Sequence, residues 1–343
     1  MHRATGGLYL NNTSPANPFI MGSTFGGTVV ALGSTSTSTS TPSQNHNLAV
    51  GDRVVGFVQD GAPREAGFQE YATVPVWKVS RVPEGMGLEA AVTVPANLIT
   101  AVYTVAVELG LELPWPVEKG VKRKDGEAVV LVWGAASSVG MYVLQVLRHW
   151  GYRNVLAVAA GKHHEVLRGM GARECFDYRE GDVAREIAQY LDLQGPAGEG
   201  RPRVPYIVDC IGSREGTLRP LTKIAESGSR VAVMLPVINV HAGENQEPEL
   251  EMDVSKALPG QWKDGVDLKG VRALLYHENE FFKNHLQPEI IPALLEQGVV
   301  QPNKQRVVEG KTLLERAQKA LDLLKGQAVS GEKLVWRVAD GEI

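Results

Sequence analysis

Two cysteines, Cys175 and Cys210, are too few for a disulfide framework or a four-cysteine zinc lobe, and neither stands in a C-x-x-C pair. Both sit in apolar, strand-like contexts, ECFDY and IVDCIG, where a thiol serves as a small buried hydrophobe. An excess of positive charge is also missing: the formal net charge is −4, which argues against a nucleic-acid partner. We read no apolar run as long enough to cross a bilayer. The opening residues, MHRATGGLYLNN, lack the hydrophobic stretch of a signal peptide, so the expected location is cytoplasmic, with no membrane partner. Metal motifs fail as well. His277–Phe281 reads H-E-N-E-F, without the second histidine of a metalloprotease helix, and the adjacent His163, His164 and Glu165 do not share a helix face. No G-x-S-x-G nucleophile elbow occurs, and no Ser–His–Asp set can be assembled.

What is present is an ordinary globular composition, 43% hydrophobic and 22% charged, in a chain of 343 residues, ample for two packed domains. The most informative stretch is Glu127–Trp150, EAVVLVWGAASSVGMYVLQVLRHW. Ala128–Trp133 is nearly all apolar, as a parallel strand covered on both faces should be. Gly134 to Ser138 carry almost no side-chain bulk, so a pyrophosphate can approach the backbone. Val139, Val143, Val146, Leu147 and Trp150 then recur at helical spacing. The helix start would offer N–H groups and a positive dipole end to phosphates. The turn is degenerate against G-x-G-x-x-G: Ala135 and Ser137 replace the first two glycines and only Gly140 remains. By itself it also fits a plain α/β turn or another nucleoside-ligand fold.

Context supports the first reading. From Phe19 to Val82, short apolar runs alternate with Gly, Pro and Asp, which predicts a β-rich module. Ser34–Asn47, STSTSTSTPSQNHN, should interrupt it as a flexible surface loop. Leu88–Leu109 turns helical. Beyond the opening motif, strands are expected at Asn154–Ala159, Arg173–Tyr178, Tyr206–Cys210 and Arg230–Leu235. Helices are expected between them at Glu165–Met170, Val183–Leu191 and Gly216–Ala225. That alternation predicts an α/β domain with a doubly wound parallel sheet. Ala242–Gly265 is acidic and broken and reads as an insertion or a mobile loop, and the tail as helices at Pro288–Glu296 and Thr312–Leu324 with a last strand at Lys333–Val338.

The end of the second strand of the α/β domain selects the nucleotide. An NAD site places a carboxylate there for the ribose 2′-hydroxyl. Here the chain reads Ala159-Ala160-Gly161-Lys162-His163-His164, with no acid and a cation following. Lys162, His163, Tyr178 and Arg179 could meet a 2′-phosphate, which favours NADP(H); otherwise Lys162 is one more solvated lysine.

At this point the chain resembles zinc-free medium-chain dehydrogenase/reductases, most of all the fungal trans-acting enoyl reductases and the oxidoreductases named for a zinc-binding alcohol dehydrogenase domain. The matching pieces, in order, are FIMGSTFGGTVVALG, VGDRVVGF, AGFQEYATVP, VPANLITAVY, LVWGAASSVG, MGARECFDY, IVDCIGS and LDLLKGQAVSGEKLVWRV. The resemblance implies a Rossmann-type cofactor domain at 99–284, inserted into a GroES-like catalytic domain formed by 1–98 and 285–343. It implies no zinc, since Gly22-Ser23-Thr24 stands where zinc-dependent members carry Gly-His-Glu. It places Thr100 near the nicotinamide, Ala135, Ser137, Ser138, Val139 and Gly140 at the pyrophosphate, and Lys162 and Tyr178 at the adenosine phosphate. Gly212 with Ser213, and Leu235 with Pro236, would flank the ribose and nicotinamide. Members of the family carry a few dozen residues, including Asn-Pro-x-Asp, ahead of the point matching Met1; either the gene model is truncated at its start or part of the catalytic module has been lost, and such a loss would remove strands and substrate-pocket residues and put activity in doubt.

The expected reaction is metal-free, NADP(H)-dependent hydride transfer to an activated double bond, an enoyl thioester or enone. The substrate is expected to be a small molecule, free or carried by a polyketide synthase or carrier domain, and the protein a monomer or homodimer. No proton donor is assigned; Tyr71 and Tyr103 are candidates whose commoner role is packing. Two alternatives stay open: quinone reduction at the same cofactor site, and a catalytically silent NADPH-binding protein.

Overall fold

A computed structural model describes residues 20–33, 48–58, 63–118, 120–195, 200–243, 246–326 and 328–339. The Ser/Thr tract at 34–47 lies outside these residues. Two compact units emerge, one of residues 1–99 and 274–343, the other Thr100–Ala273; the sequence reading sets its boundaries at 98/99 and 284/285.

The first unit begins with β1 (Thr24–Thr28), β2 (Arg53–Phe57) and β3 (Val79–Arg81), an antiparallel sheet in that order. Gly56 is required where β1 crosses β2, because a Cβ there would lie 2.6 Å from both the Lys78 carbonyl and the Phe25 ring. Val55 and Val82 form a small core with Ala91 of α1 (Leu88–Ala91). α2 (Pro95–Tyr103) follows and widens into a π-helical turn, Thr104–Glu108, closed by the Leu109 N–H on the Thr104 carbonyl at 3.0 Å. One expectation fails here. Leu88–Glu108 is a 21-residue helical run with mean hydropathy 1.7, long and apolar enough by composition to cross a membrane. Its apolarity is absorbed by burial, with Leu98, Ile99, Ala101 and Val105 fully enclosed, as in a core helix.

The second unit carries β4 (Val130–Trp133), α3 (Ser138–His149), β5 (Val155–Val158), α4 (His164–Met170), β6 (Glu174–Phe176), α5 (Val183–Leu193), β7 (Tyr206–Asp209), α6 (Arg219–Ile224), β8 (Arg230–Met234), β9 (Val237–Val240), β10 (Glu249–Glu251) and β11 (Asp267–Val271). Six of these strands form one parallel sheet in the order β11-β8-β7-β4-β5-β6, while β9 and β10 pair as a ribbon. All four residues of β4 and of β5 are buried, as a sheet covered on both faces demands. On one face Leu131, Trp133, Leu156, Ile207 and Val231 pack with Ile187 and Leu191 of α5 and Leu221 of α6.

Two corrections follow. Residues 254–262 are not a mobile loop: Val254, Ala257 and Leu258 belong to the same core, with Trp262 packed against it. The charges of the 242–265 stretch hid four apolar residues spaced to turn inward. Nor is β11 among the expected strands: it is an edge strand in which only Val271 is buried and Asp267 and Lys269 pair at 3.1 Å, short of the apolar run expected of a buried strand.

The tail adds α7 (Glu280–His285), α8 (Ile291–Glu296), β12 (Gln305–Val307), α9 (Leu313–Lys325) and β13 (Lys333–Val335). It returns to the first unit through Gln287, fully buried, whose side-chain amide extends the β2 ladder. It accepts from the Phe57 N–H at 2.8 Å and donates to the Phe57 carbonyl at 3.0 Å.

Candidate dinucleotide site

Strand order reverses at β4: β5 and β6 lie on one side, β7, β8 and β11 on the other. Ligands of such sheets bind outside the carboxyl ends of the strands, at the reversal. The two loops that border it, after β4 and after β7, are built to approach each other. Gly134 adopts φ +72° and presses on Ile211; a Cβ there would lie 2.5 Å from Ile211 Cγ1. Gly140, the surviving motif glycine, lets α3 start against the strand end, since its Cβ would fall 2.5 Å from the Gly134 carbonyl and 2.7 Å from Ala135 Cα.

Ser137 is the N-cap of α3, its hydroxyl accepting from the Gly140 N–H at 3.1 Å. The turn uses several of its own amides. Gly134 and Ala135 both donate to the Val158 carbonyl, at 3.0 and 3.1 Å, and Ser137 donates to Gly134 at 2.9 Å. That leaves the N–H groups of Ala136, Ser138 and Val139, which have no acceptor among the described residues. Ala135 is fully buried, so its contribution is to the shape of the turn, whereas Ser137, Ser138 and Val139 are half-buried.

Across the reversal, Asp209 closes β7 with its carboxylate fully buried. It accepts from the Ile211 and Gly212 N–H groups at 3.0 and 3.1 Å and from the Thr217 hydroxyl at 2.5 Å. Burial pushes its pKa up to about 6, against the pull of these hydrogen bonds. Gly212, at φ +69°, has no room for a Cβ, which would meet the Met234 carbonyl at 2.5 Å. Leu235, half-buried, follows the end of β8. The Cys210 thiol hydrogen-bonds the Ser137 side chain, and burial pushes its pKa up.

At the ends of β5 and β6 the structure adds a residue the sequence reading passed over. A carboxylate does reach the end of the second strand, but from the third: Asp177 Oδ2 accepts from the Gly161 N–H at 2.6 Å. Arg179 grips the same carboxylate through Nε at 3.1 Å, Nη2 at 2.9 Å and its backbone N–H at 3.0 Å. Those bonds hold the Asp177 pKa well below the usual carboxylate range. Lys162 is exposed and Tyr178 is 51% exposed. His163 has its pKa lowered, chiefly by burial and further by the neighbouring positive charges of Lys162 and Arg179. His164 Nε2 meets the Ala159 carbonyl at 3.0 Å.

Of the remaining candidates, Thr100 is half-buried on α2, its carbonyl accepting from the Thr104 hydroxyl at 2.7 Å. Tyr71 is 73% exposed. Tyr103 is buried and hydrogen-bonds the carboxyl of Glu108, whose pKa is raised chiefly by burial. Asp177 and Asp209 were the residues missed. Each is an acid closing an apolar strand, followed within three residues by an arginine or a glycine.

No family model matches the chain. It is 28% identical to the trans-enoyl reductase himH of Aspergillus japonicus over 95% of this chain and 82% of that protein. It is 27% identical to lovC, the enoyl reductase component of the lovastatin nonaketide synthase of Aspergillus terreus, over 93% of this chain and 81% of that one. Among solved structures, the CurK enoyl reductase aligns with TM-score 0.66 and 17% identity, covering 98% of this chain and 84% of its own. A mycobacterial protein solved as a complex with NADPH aligns with TM-score 0.62 and 21% identity, covering 98% and 86%. The chain resembles the fungal trans-enoyl reductases along nearly all its length. Its fold is that of the alcohol dehydrogenase superfamily, a Rossmann-type sheet with a β-rich, GroES-like module.

Proposed function

We propose that the protein is an NADP(H)-dependent, zinc-independent oxidoreductase that reduces an activated C=C, that of an enoyl thioester or enone. The observation that carries this reading is the strand reversal bordered by two glycine-packed loops, with Arg179 forked on Asp177 beside the Gly161 turn at the ends of the next two strands. The glycines at 134, 140 and 212 stand where any Cβ would strike its surroundings, so the backbone there has the close-packed form a pyrophosphate cradle needs. The amides of Ala136, Ser138 and Val139 would hold the pyrophosphate. Lys162, His163 and Tyr178 would meet the 2′-phosphate, while Gly212 and Leu235 would line the ribose and nicotinamide and Thr100 would approach the ring.

When bound, the reduced nicotinamide supplies a hydride. The chain's own task is then to stabilise the enolate-type oxyanion with N–H groups or hydroxyls in a water-poor site. Zinc independence rests on ligand chemistry. Ser23 and Thr24 stand where zinc-dependent members carry a histidine and a carboxylate, and neither hydroxyl is a customary zinc ligand. The substrate is a small molecule, free or bound to a carrier of a polyketide synthase, as the relatives' names suggest.

The test is coenzyme consumption with a panel of enoyl thioesters, enones and quinones. Oxidation of NADPH by an enoyl thioester or enone is expected, insensitive to a zinc chelator. Turnover with quinones alone would reassign the protein to quinone reduction. Quenching of NADPH fluorescence without any consumption would make it a silent binding protein.

A further inference from the structure

We propose that Asp177 is a positioning residue that sets the coenzyme preference of this site by locking Arg179 and the Gly161–Lys162 turn into one unit. The inference rests on the NADP(H) reading above and deepens it. A carboxylate offers about four acceptor positions, and here four N–H donors occupy them. Oδ1 takes the Arg179 backbone N–H and Nε, and Oδ2 takes Arg179 Nη2 and the Gly161 N–H. The group is 7% exposed. An acid so filled has no acceptor position left for a ribose 2′-hydroxyl, the contact by which an acid at this edge of the sheet selects NAD. Its charge is also compensated by the guanidinium it holds.

The rest of the arrangement follows from how close the acid comes. A Cβ on residue 161 would lie 2.9 Å from Asp177 Oδ2, so only glycine admits the carboxylate to that backbone N–H. The bond ties the turn carrying Lys162 and His163 to the end of β6, beside the ladder bond from the Ala159 N–H to the Phe176 carbonyl at 3.0 Å. Arg179 spends two of its five guanidinium N–H groups on the acid and keeps three. Held by a two-point fork, it is pre-organised for a second anion in a way a swinging lysine is not. The acid therefore serves a phosphate site by arranging its cations.

Charge alone makes the opposite prediction, which is what allows a test. Asp177→Asn leaves the site one unit more positive, so simple attraction would tighten NADPH. If positioning governs, the neutral amide loses the fork, because its NH2 faces donors. Dissociation constants for NADPH and NADH would be measured by fluorescence for the full-length wild type, Asp177→Asn and Arg179→Lys. We expect the wild type to prefer NADPH and each variant to lower the NADPH-over-NADH affinity ratio at least tenfold. A purely structural loss would weaken both coenzymes alike and leave that ratio unmoved. An unchanged ratio in the variants, or tighter NADPH binding by Asp177→Asn, overturns the inference while the NADP(H) reading stands. A wild type without NADPH preference overturns both. Should Asp177→Asn fail to fold, Arg179→Lys decides alone, since that side chain is 53% exposed and its replacement leaves the core untouched.

Discussion

Replacing Gly140 by alanine probes the joint on which the site is built. The new Cβ would sit 2.5 Å from the Gly134 carbonyl oxygen, 2.7 Å from Ala135 Cα and 2.8 Å from the Ala135 oxygen. All three are backbone atoms, so no side chain can swing aside; α3 must lift from the end of β4. Overpacking of this kind costs about 1–3 kcal/mol. Alanine's better helix propensity returns about 1 kcal/mol, leaving a net loss of about 0–2 kcal/mol. In a domain of 150–250 residues each kcal/mol moves the melting temperature by about 2–4 °C. Thermal unfolding should therefore show a drop of no more than about 8 °C. NADPH binding should fall further than stability, at least tenfold, because lifting α3 displaces the Ser138 and Val139 amides and strains the cap bond from Gly140 to Ser137. Fluorescence titration beside the melting curve checks both. A Gly140→Ala variant that melts with the wild type and binds NADPH equally well would refute the close-packed turn and its role as the pyrophosphate cradle.

Two further outcomes follow from buried and exposed charges at the same edge. Asp209 titrates at about 6 in the folded chain against 3.8 as a free group, so the unfolded state ionises first. Stability should fall as pH rises between those values and level off above them. At about 1.4 kcal/mol per pH unit, the ionised carboxylate costs about 3 kcal/mol. Asp209→Asn keeps the oxygen acceptor for the Ile211 and Gly212 amides and should abolish that decline, seen as a denaturation midpoint that no longer falls from pH 4 to 7. A variant whose midpoint still falls over that range would remove Asp209 as the cause. Lys162→Glu should weaken NADPH while sparing NADH, because it sets a carboxylate where a phosphate is expected; an unchanged ratio of the two affinities would mark Lys162 as surface only.

Much of this was present in the order of residues. The run of buried β4, the small turn, the amphipathic α3 and the later alternation of strands and helices are local patterns, set by periodicity and side-chain volume. They specified a doubly wound sheet and located the turn at 134–140 before any contact was known. Gly140 could be singled out because close packing leaves a signature in the one residue that lacks a Cβ. Tertiary structure alone decided three other matters. The apolar residues hidden in 254–262 joined the core because the faces they meet come from strands and helices distant in sequence. The edge strand β11 formed by pairing with β8, a partner no local window contains. The coenzyme end of the site likewise depended on a bond across two strands. Asp177, sixteen residues from Gly161, reads from sequence as one more strand-end acid, and only the parallel register of β5 and β6 brings it to that amide already filled by Arg179. Side-chain pattern carries what neighbours along the chain enforce; the saturation of a carboxylate depends on donors that folding brings to it.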